Sequence, residues 1–546
     1  MGSKQAAQRI RRAARILFGY ERLRPGQQEV IQSVLAGRDT LAVMPTGLGK
    51  SAVYQIAGVL MDGPTIVVSP LLALQRDQLE SIAEQELGGA AAVNSTVSRA
   101  EVKAALADMQ AGALEFIFLA PEQFNDPAKL AQIKAARPSL FVVDEAHCVS
   151  EWGHSFRPDY LKLGPVIESL GHPTVLALTA TASPPVRREI VERLGMREPQ
   201  VLVHGFDRPN ISLAVRVCQG EPEKKRALAE YVDQAAKPGI VYVATRKRAE
   251  EIARLLTERG LRALPYHAGL KTAAREEAQT AFMDGRLDAM VATTAFGMGI
   301  DKQDVRFVLH YDISDSIDSY YQEIGRAGRD GEPAEALLLY RPEDLGLRRF
   351  FASAGQLDAA AVACVTEVIE RRRGRFTVAQ IRDHCGLSES KVRRIVHRLS
   401  EAGLVSIAAS GEIELIGAIK DREQAIADAL TAQDRRRQFD QSRVEMMRGY
   451  AELRCCRRQY LLNYFGEEAR ERCGACDCCA AEAPERQAAP PAAAPFPLNS
   501  QVRHALWGAG QVLRYEEDKM VVLFATVGYK QLAVDLVVDG RLLQAA

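Results

Sequence analysis

The stretch TLAVMPTGLGKS, residues 40–51, joins a short apolar strand to the start of a predicted helix through a loop with two glycines. Such glycines let backbone N–H groups turn inward around phosphate groups, and the following helix N-terminus favours an anion. Lys50 can then reach the β- and γ-phosphates, and the hydroxyl of Ser51 can hold Mg²⁺. Because Met44 replaces the first glycine of the general phosphate-loop pattern, a chance glycine-rich turn is the alternative. The predicted nucleotide-binding residues of this loop are Thr46, Gly47, Gly49, Lys50 and Ser51.

Similar strand-like runs continue on both sides of this loop, from about residue 38 to residue 340. They alternate with amphipathic helical stretches, and they read TLAVMP, TIVVSP, EFIFLAP, SLFVVDE, TVLALTA, GIVYVA, DAMVATT and VRFVLHY. Short apolar strands that alternate with helices are typical of parallel α/β layers. The runs form two groups separated near residues 200–235, so we predict two similar α/β lobes.

The overall composition sets wider bounds on the protein. Its 546 residues are too many for one ordinary core and predict three or more domains. Its 70 basic and 70 acidic residues cancel, so net charge neither supports nor excludes nucleic acid as a partner. The Arg-rich start fits a helix of the mature protein, and the sequence has no run of about 18 apolar residues that would predict a membrane span. Ten cysteines, six of them within residues 455–479, suit a metal site in a reducing cytosol better than a disulfide framework.

Two further motifs carry charges that suit nucleotide hydrolysis. VVDEAHCVSEW ends another strand in Asp144 and Glu145, an arrangement in which one carboxylate holds the metal and the next activates water. In QEIGRAGRDG, residues 322–331, Arg326 and Arg329 lie three apart and can face one way on a helix, as two arginine fingers would. Taken alone, the acids also fit a solvated turn and the arginines a solvated helix face.

Together these motifs resemble the superfamily-two helicases and, in detail, the RecQ family. The resemblance covers roughly residues 10–345 and then the cysteine region, and it is carried in order by LFGYERLRPGQ, SPLLALQRDQL, HCVSEWGHSFRPDY, ALTATA, FDRPN, YHAGL and ATTAFGMGIDKQDVR. It implies an ATP-dependent DNA helicase of 3′-to-5′ polarity that acts at single-strand/duplex junctions in repair, recombination or replication. It also implies a bacterial, cytoplasmic, nucleoid-associated protein, for which we expect a monomer.

The resemblance assigns roles to individual residues, with ATP and Mg²⁺ between the two lobes. The implied adenine contacts are Tyr20, Arg24 and Gln27. The implied catalytic residues are Lys50, Asp144 (also a Mg²⁺ ligand with Ser51), Glu145 as base, Gln322, Arg326 and Arg329. In the loop after the acids, the rings of Trp152, His154 and Phe156 can stack on DNA bases, and Arg157 can take a phosphate or an acidic neighbour. The sequence departs from the family pattern at Leu23 (usually Phe), Leu48 (usually Gly) and Ser155 (usually Asp).

The cysteine-rich stretch has the spacing C-x16-C-x2-C-x2-C. Four thiolates spaced in this way suit tetrahedral Zn²⁺, and unmetallated, reduced cysteines are the alternative. The spacing and the flanks CRR, LLNYFGE and CGACD are similar to those of the RecQ zinc module. The implied ligands of a closed, structural zinc site are Cys456, Cys473, Cys476 and Cys479, which leaves Cys455 and Cys478 spare.

TVAQIRDHCGLSESKVRRIVHRLSEAGLVSIAASGEIEL, residues 377–415, predicts helix, turn, helix and β-hairpin, which together form a winged helix. In the familiar RecQ order a winged helix follows the zinc module, whereas here it precedes the cysteines. Residues 371–398 contain nine basic residues against two acidic ones, so this domain, with Arg393 and Arg394, is predicted to contact duplex phosphate. A solvated helix face is the alternative.

The tail VRHALWGAGQVLRYEEDKMVVLFATVGYKQLAVDLV is similar to the small Tudor-like barrel that ends UvrD and PcrA helicases. That resemblance implies a protein partner, although Trp507 fits a core position equally well.

We therefore predict an α/β fold of two tandem RecA-like lobes with a winged helix, a helical zinc-binding module and a small C-terminal β-barrel. The expected domains are lobe 1 at 1–205, lobe 2 at 206–345, the winged helix at 346–418, the zinc module at 419–480, an Ala/Pro-rich linker at 481–497 and the barrel at 498–546. Two other functions remain open: an ATP-driven translocase or RNA remodeller that does not separate strands, and a DNA-binding adaptor. Intact Lys50, Glu145 and Arg329 argue against the adaptor, which needs none of them.

Overall fold

The computed structural model describes residues 3–70, 72–85, 87–94, 96–150, 157–297, 302–353, 359–371, 374–401, 404–407, 412–416, 422–467, 472–481, 494–498, 500–516, 519–524 and 526–545. The structural statements below concern these residues. Within them, none of the helices combines the length and the apolar character needed to cross a membrane.

Lobe 1 is a parallel α/β layer. Its strands β1 to β7 are Thr40–Val43, Thr65–Val68, Ala90–Val93, Phe116–Leu119, Leu140–Val143, Thr174–Thr179 and Gln200–Val203. Its helices α1 to α8 are Ser3–Phe18, Gln27–Leu35, Lys50–Val59, Leu72–Glu84, Arg99–Gln110, Pro127–Ala135, Leu163–Ser169 and Pro184–Arg193, with 3₁₀ turns at Pro121–Asn125, Ala146–Val149 and Pro158–Lys162. The strand order is β3-β4-β2-β5-β6-β1-β7. Strands such as β4 and β5 are buried along their whole length, as expected where helices cover both faces of a sheet.

Lobe 2 repeats this design in a six-stranded parallel sheet. Its strands β8 to β13 are Ile211–Val217, Gly239–Tyr242, Ala263–Tyr266, Ala289–Ala292, Phe307–His310 and Ala334–Tyr340. Its helices α9 to α12 are Glu221–Gln234, Arg246–Glu258, Thr272–Met283 and Ile317–Ile324. The strand order is β10-β11-β9-β12-β13-β8. The prediction of two similar α/β lobes is therefore confirmed.

The region after lobe 2 begins with a 3₁₀ turn at Pro342–Asp344 and helix α13 (Leu345–Ser353), followed by the predicted winged helix. The winged helix contains α14 (Ala359–Arg371), β14 (Arg375–Phe376), α15 (Val378–Cys385), α16 (Glu389–Glu401), β15 (Val405–Ile407) and β16 (Ile413–Leu415). Thr377 caps α15 in a capping box with Gln380, and Gly386 ends the helix with φ 63°. Cys364 and Cys385 form a disulfide between α14 and α15, which the cysteine pattern did not predict.

A long helix, α17 (Arg422–Ala451), connects the remaining parts of the chain, and α18 (Arg457–Tyr464) and α19 (Asp477–Ala480) complete the zinc module. The predicted barrel is a five-stranded antiparallel sheet, β20-β19-β18-β17-β21, which we call the β domain (residues 494–545). Its elements are β17 (Gln501–His504), β18 (Gly508–Glu516), β19 (Lys519–Phe524), β20 (Gly528–Ala533), α20 (Val534–Asp539) and β21 (Leu543–Ala545). Helix α17 packs against α12, α13, α14 and β20 and therefore touches lobe 2, the winged helix and the β domain.

The topology of lobe 1 positions the candidate site. Strands β1 and β5 flank β6 in one parallel sheet, so their carboxyl ends lie at the same edge. The phosphate loop after β1 and the acids after β5 therefore meet there, as ligand-binding groups of parallel sheets do.

The packing of lobe 2 can be tested at Gly239, the first residue of β9. A Cβ at this position would lie 2.1 Å from the ring of Phe307, which is fully buried in the neighbouring strand. We expect Gly239→Ala to lower the free energy of unfolding by about 1–3 kcal/mol, measured by urea denaturation, because the ring must move within a packed layer. Gly346→Ala in α13 is the control, since a Cβ at Gly346 would meet no atom within 4 Å. Equal stability of the two variants would contradict this packing.

Candidate functional site

A cleft of about 500 Å³ between the two lobes brings the predicted nucleotide-site residues together. Its lining includes every one of them: Tyr20, Arg24, Gln27, Thr46, Gly47, Gly49, Lys50, Ser51, Asp144, Glu145, Gln322, Arg326 and Arg329. Sequence reasoning missed several further lining residues, among them Arg22, Gln78, Gly297 and Gln303. Gln303 and Gly297 lie in the quoted ATTAFGMGIDKQDVR motif, which could have suggested them.

The phosphate loop is held by the side chain of Gln27, which lies in the LFGYERLRPGQ motif. Gly47 and Gly49 have φ values of 88° and 72°, a left-handed conformation that glycine adopts readily. The buried Gln27 amide donates from Nε2 to the carbonyl oxygens of Leu48 at 2.8 Å and Gly49 at 3.0 Å. A Cβ at Gly49 would lie 2.7 Å from that nitrogen. Leu48 packs against the apolar core of lobe 1, which explains how the loop accommodates this departure from the family pattern.

The outer end of the cleft carries an exposed aromatic ring and two exposed arginines. Tyr20 is 40% exposed, and its ring stacks on Phe18 at a centroid distance of 5.8 Å. Arg22 and Arg24 are also exposed at this rim. The backbone N–H of Arg24 donates to Oε1 of Gln27 at 2.8 Å, so the rim and the phosphate loop are joined through one amide side chain. This arrangement can stack and hydrogen-bond a flat, polar base.

The two acids form a buried, closely coupled pair. The backbone N–H of Glu145 donates to Oδ1 of Asp144 at 3.0 Å, and Glu145 has φ 48°, a rare conformation for a residue with a side chain. Burial, followed by the Glu145 carboxylate, raises the pKa of Asp144 to about 6, while Lys50 opposes the shift. Two adjacent carboxylates taken from water attract a divalent cation, so Asp144 and the Ser51 hydroxyl fit a Mg²⁺ site.

A buried histidine connects the acid pair to the ALTATA motif. His147 Nδ1 lies 3.3 Å from Oε2 of Glu145 and 3.1 Å from Oγ1 of Thr179. Thr179 in turn donates to the carbonyl oxygen of Thr181 at 3.0 Å. Sequence reasoning gave His147 no role, because its partner on β6 lies 32 residues away.

The cleft is closed from lobe 2 by the segment after α12. Thr46 in the phosphate loop donates to the carbonyl oxygen of Gly325 at 2.9 Å, a direct bond between the lobes. Arg326 is 4% exposed, and the Arg329 side chain lies 3.4 Å from a Cβ position built on Gly47. Arg329 therefore lies beside the phosphate loop, and Arg326 lines the same cleft.

Arg208, in the quoted FDRPN motif, connects the same two segments, and the sequence did not predict its role. Its Nη1 donates to the carbonyl oxygens of Gly325 at 3.1 Å and, more weakly, Thr46 at 3.5 Å. Its Nη2 donates to those of Ala327 at 2.8 Å and Gly328 at 2.9 Å. One guanidinium group thus holds the phosphate loop and the arginine-bearing segment together.

The predicted base-stacking residues Trp152, His154 and Phe156 lie outside the described residues. The ends of their loop are joined by a 3.0 Å bond from the backbone N–H of Arg157 to the carbonyl oxygen of Cys148. The Arg157 guanidinium donates to the carbonyl oxygen of Pro70 at 3.0 Å. It therefore contacts the SPLLALQRDQL segment, a partner that was not among the phosphate or acidic neighbours expected.

The cysteine cluster has the dimensions of a zinc site. The Sγ atoms of Cys456, Cys473, Cys476 and Cys479 all lie within 4.8 Å of one another, and those of Cys473 and Cys479 are 3.9 Å apart. Tetrahedral coordination with Zn–S bonds of about 2.3 Å places sulfurs about 3.8 Å apart, so the four thiols fit Zn²⁺. The adjacent Asp477 accepts from Arg457 Nε at 2.6 Å and from the backbone N–H of Val215 at 2.8 Å, which joins the site to lobe 2.

The winged helix is less positively charged than the count over residues 371–398 indicated. Acids just outside that window form ion pairs with two of the counted arginines: Glu367 with Arg371, and Glu414 with Arg375. Arg393 and Arg394 on α16 are both exposed, and Arg393 pairs with Glu389 at 2.6 Å. The surface of α16 nonetheless retains exposed guanidinium groups for an anionic partner.

A phosphate loop and an acid pair on one α/β lobe, facing two arginines on a second, define an ATP-driven motor of the two-lobed helicase class. Four family models match the chain: DEAD/DEAH box helicase at 24–189, helicase conserved C-terminal domain at 223–331, IclR helix-turn-helix domain at 366–406 and RecQ zinc-binding at 418–480.

Known proteins match the chain over most of its length. It is 36% identical over 466 residues to the probable ATP-dependent DNA helicase RecS of Bacillus subtilis, covering 85% of this chain and 89% of that one. It is 34% identical over 490 residues to the ATP-dependent DNA helicase RecQ of Synechocystis, covering 86% and 98%. A structure of Saccharomyces cerevisiae Dbp5 bound to RNA and ADP BeF3 shares the fold, with a TM-score of 0.50 and 18% identity over 63% of this chain and 90% of that chain.

The chain therefore belongs to the RecQ family of ATP-dependent DNA helicases. The predicted family, the α/β fold class, and ATP and zinc as cofactors are confirmed.

The zinc site can be tested by metal analysis of the purified chain. We expect about one zinc ion per chain in the wild type and less than about 0.2 in Cys473→Ser, together with a lower thermal midpoint, because three ligands hold zinc far less tightly than four. Cys455→Ser removes a neighbouring thiol outside the four-sulfur cluster and should leave the zinc content unchanged. Full zinc content in Cys473→Ser would exclude this residue as a ligand.

Proposed function

We propose that this protein couples ATP hydrolysis to 3′-to-5′ movement along single-stranded DNA and separates duplex strands ahead of it. The observation that carries the proposal is the single cleft in which the phosphate loop, the acid pair and both arginines meet across two lobes. Such a site hydrolyses ATP efficiently when the lobes approach each other, and relative motion of the lobes is the movement that a translocating enzyme uses.

In the proposed reaction, Lys50 binds the β- and γ-phosphates, and Ser51 and Asp144 hold Mg²⁺. The metal, when bound, neutralises charge on the phosphates. Glu145 accepts a proton from the attacking water, and His147, whose Nδ1 lies 3.3 Å from Oε2 of Glu145, helps to orient the carboxylate. Tyr20, Arg24 and Gln27 contact the adenine, and Gln27 also holds the phosphate loop.

The residues from lobe 2 act on the transferred phosphoryl group. Gln322, Arg326 and Arg329 line the cleft opposite the phosphate loop and supply positive charge and hydrogen bonds to it. Because Thr46 and Arg208 both bond the backbone of Gly325, the position of these arginines depends on the position of the phosphate loop. Nucleotide binding in lobe 1 is thereby coupled to the approach of lobe 2.

The DNA contacts are proposed for two regions. Trp152, His154 and Phe156 stack on bases of the translocating strand, where each stacked base contributes about 1–3 kcal/mol. Arg393 and Arg394 contact duplex phosphate from the exposed face of α16. Opening one base-pair step costs about 1–2 kcal/mol in stacking, a load that repeated closure of the lobes can carry.

We further propose a protein partner for the β domain, within a monomeric, cytoplasmic protein that acts at single-strand/duplex junctions. Leu506 and Leu536 of the β domain are 84% and 64% exposed, which is unusual for large apolar side chains. Trp507 stacks on His504 at 4.0 Å and contacts Phe524, so its role is mainly packing. Apart from the start of the β domain, at residue 494 instead of 498, the domain boundaries expected from the sequence are proposed unchanged.

The helicase proposal is tested by unwinding of 3′-tailed, 5′-tailed and blunt duplexes, with DNA-stimulated ATPase measured in parallel. We expect unwinding of the 3′-tailed substrate alone, and loss of about 100-fold or more of both activities in Lys50→Ala, because the phosphates lose their cation. ATPase without strand separation on any substrate would favour the translocase, and DNA binding without ATPase would favour the adaptor. Unwinding from the 5′ tail would contradict the proposed polarity.

The winged-helix contact is tested by the salt dependence of duplex binding. Substituting Arg393 and Arg394 together by Ala should weaken binding and reduce the slope of log affinity against log salt by about one to two, because two phosphate contacts are lost. Arg375→Ala is the control, since this exposed arginine of the same domain lies on β14, outside α16, and is paired with two acids, Glu412 and Glu414. An unchanged slope in the double variant would show that α16 does not contact the duplex.

A further inference from the structure

Three buried polar side chains from three parts of the protein form one continuous hydrogen-bond chain, and a fourth side chain, from lobe 1, lies beside its end. The hydroxyl of Tyr529 in the β domain lies 2.8 Å from that of Tyr464 in α18. Tyr464 donates to Oδ2 of Asp318 in α12 at 2.5 Å. At the other end, the side chain of Ser183, which precedes α8 in lobe 1, lies beside the Tyr529 hydroxyl. All four side chains are at least nine-tenths buried.

The number of protons fixes the direction of this chain. A phenol has one proton, and that of Tyr464 is donated to Asp318, so the oxygen of Tyr464 must accept from Tyr529. Burial raises the pKa of Asp318, but the nearby Arg443 and the Tyr464 hydroxyl favour its carboxylate form. Bonds that run in one direction toward a charge strengthen one another, so the chain acts as a unit.

The β domain is packed tightly where it supplies Tyr529. The preceding Gly528 has φ 72°, and a Cβ there would lie 2.2 Å from Oγ of Ser442 on α17. That serine accepts from the backbone N–H of Tyr529 at 3.1 Å, and the Tyr529 ring stacks on Phe439. A second contact reaches lobe 1, because Arg188 on α8 donates to Gln511 at 3.2 Å. The β domain is therefore docked against both α17 and lobe 1.

The hydrogen-bond chain ends at Asp318 in α12, the helix that precedes the arginine fingers. Asp318 and the cap residue Ser316 lie in the first turn of α12, and Arg443 donates to Oγ of Ser316 at 2.8 Å. The same helix carries Gln322 to the cleft and is capped by Gly325, whose carbonyl oxygen accepts from Thr46. The first turn of α12 is thus held by the chain and its last turn by the phosphate loop.

We propose that Tyr529 is a positioning residue for ATP hydrolysis: through its hydrogen-bond chain to Asp318, the β domain, which also contacts lobe 1, supports α12 and so places the arginines that follow it. The β domain is then a working part of the motor as well as a surface for a partner. The inference rests on the roles proposed above for Gln322, Arg326 and Arg329. Tyr529 touches neither nucleotide nor reacting atoms.

The test compares Tyr529→Phe with Tyr515→Phe in the full-length protein. Both changes remove one hydroxyl from the β domain, but that of Tyr515 bonds to Phe496 within the same domain. We expect Tyr529→Phe to lower the kcat of DNA-stimulated ATP hydrolysis by about fivefold, the effect of one lost hydrogen bond, with KM for ATP within about twofold. Tyr515→Phe should leave both constants unchanged. Because Tyr464 and Tyr529 act in one chain, the double Phe variant should lose no more than Tyr464→Phe alone.

Hydrogen exchange of α12 separates this inference from the helicase proposal. Tyr529→Phe should speed amide exchange in α12, while β19, in the core of the β domain, stays protected. If the wild type hydrolysed no ATP, the helicase proposal would fail, and exchange in α12 would still decide the inference. Unchanged kcat together with unchanged exchange in α12 would overturn it. If β19 also lost protection, Tyr464→Phe, which breaks the same chain from α18, should reproduce the lower kcat and the faster exchange in α12. Its failure to do so would likewise overturn the inference.

Discussion

The backbone contacts of Arg208 are the interaction on which the two-lobed motor depends. One apolar cluster contains residues of both lobes, the zinc module and the β domain, but apolar contacts are not directional and do not orient the groups that face the cleft. Arg208 bonds the carbonyl oxygens of both the phosphate loop and the segment that carries the arginines. Carbonyl acceptors are fixed by the backbone and do not change with protonation, so the acceptor side of this link is insensitive to pH. The placement of the arginines against the phosphate loop therefore depends on how the segment around Arg208, between the lobes, is held.

The segment that joins the lobes, residues 206–211, is held by the zinc module. Arg458 donates to Asp207 and to the carbonyl oxygen of Ile211, on either side of Arg208. The ring of Phe465 stacks on Phe206 at 4.5 Å, and its carbonyl oxygen accepts from Arg187 in lobe 1. The four clustered cysteines do not line the nucleotide cleft. Loss of the metal would nevertheless loosen the zinc module and release the segment that positions Arg208.

The sequence predicted those parts of the site whose chemistry is local. A strand, two glycines, a lysine and a serine are adjacent in the chain, and so are Asp144 and Glu145, because both groups sit at a strand end. Arg208 and Tyr529 could not be found in this way, since their partners lie 119 and 65 residues away and include backbone atoms, which leave no mark on sequence. The same reason explains the charge estimate for the winged helix: Glu414 neutralises Arg375 across a strand pair that a linear count does not see. Motifs therefore identified the reacting groups, and tertiary structure was needed to find the residues that place them.

Because the winged helix precedes the zinc module, helix α17 connects it directly to α12. Leu430, in its first half, packs against the winged-helix core, whereas Arg443 lies against the first turn of α12. Thirteen residues of helix separate these points by about 20 Å. A tilt of about 10° at Arg443 would carry the winged helix about 3.5 Å, close to the 3.4 Å between successive nucleotides of a duplex strand. Because α17 is continuous between these two contacts, a small rotation beside the ATP site becomes a displacement of several ångströms at the winged helix.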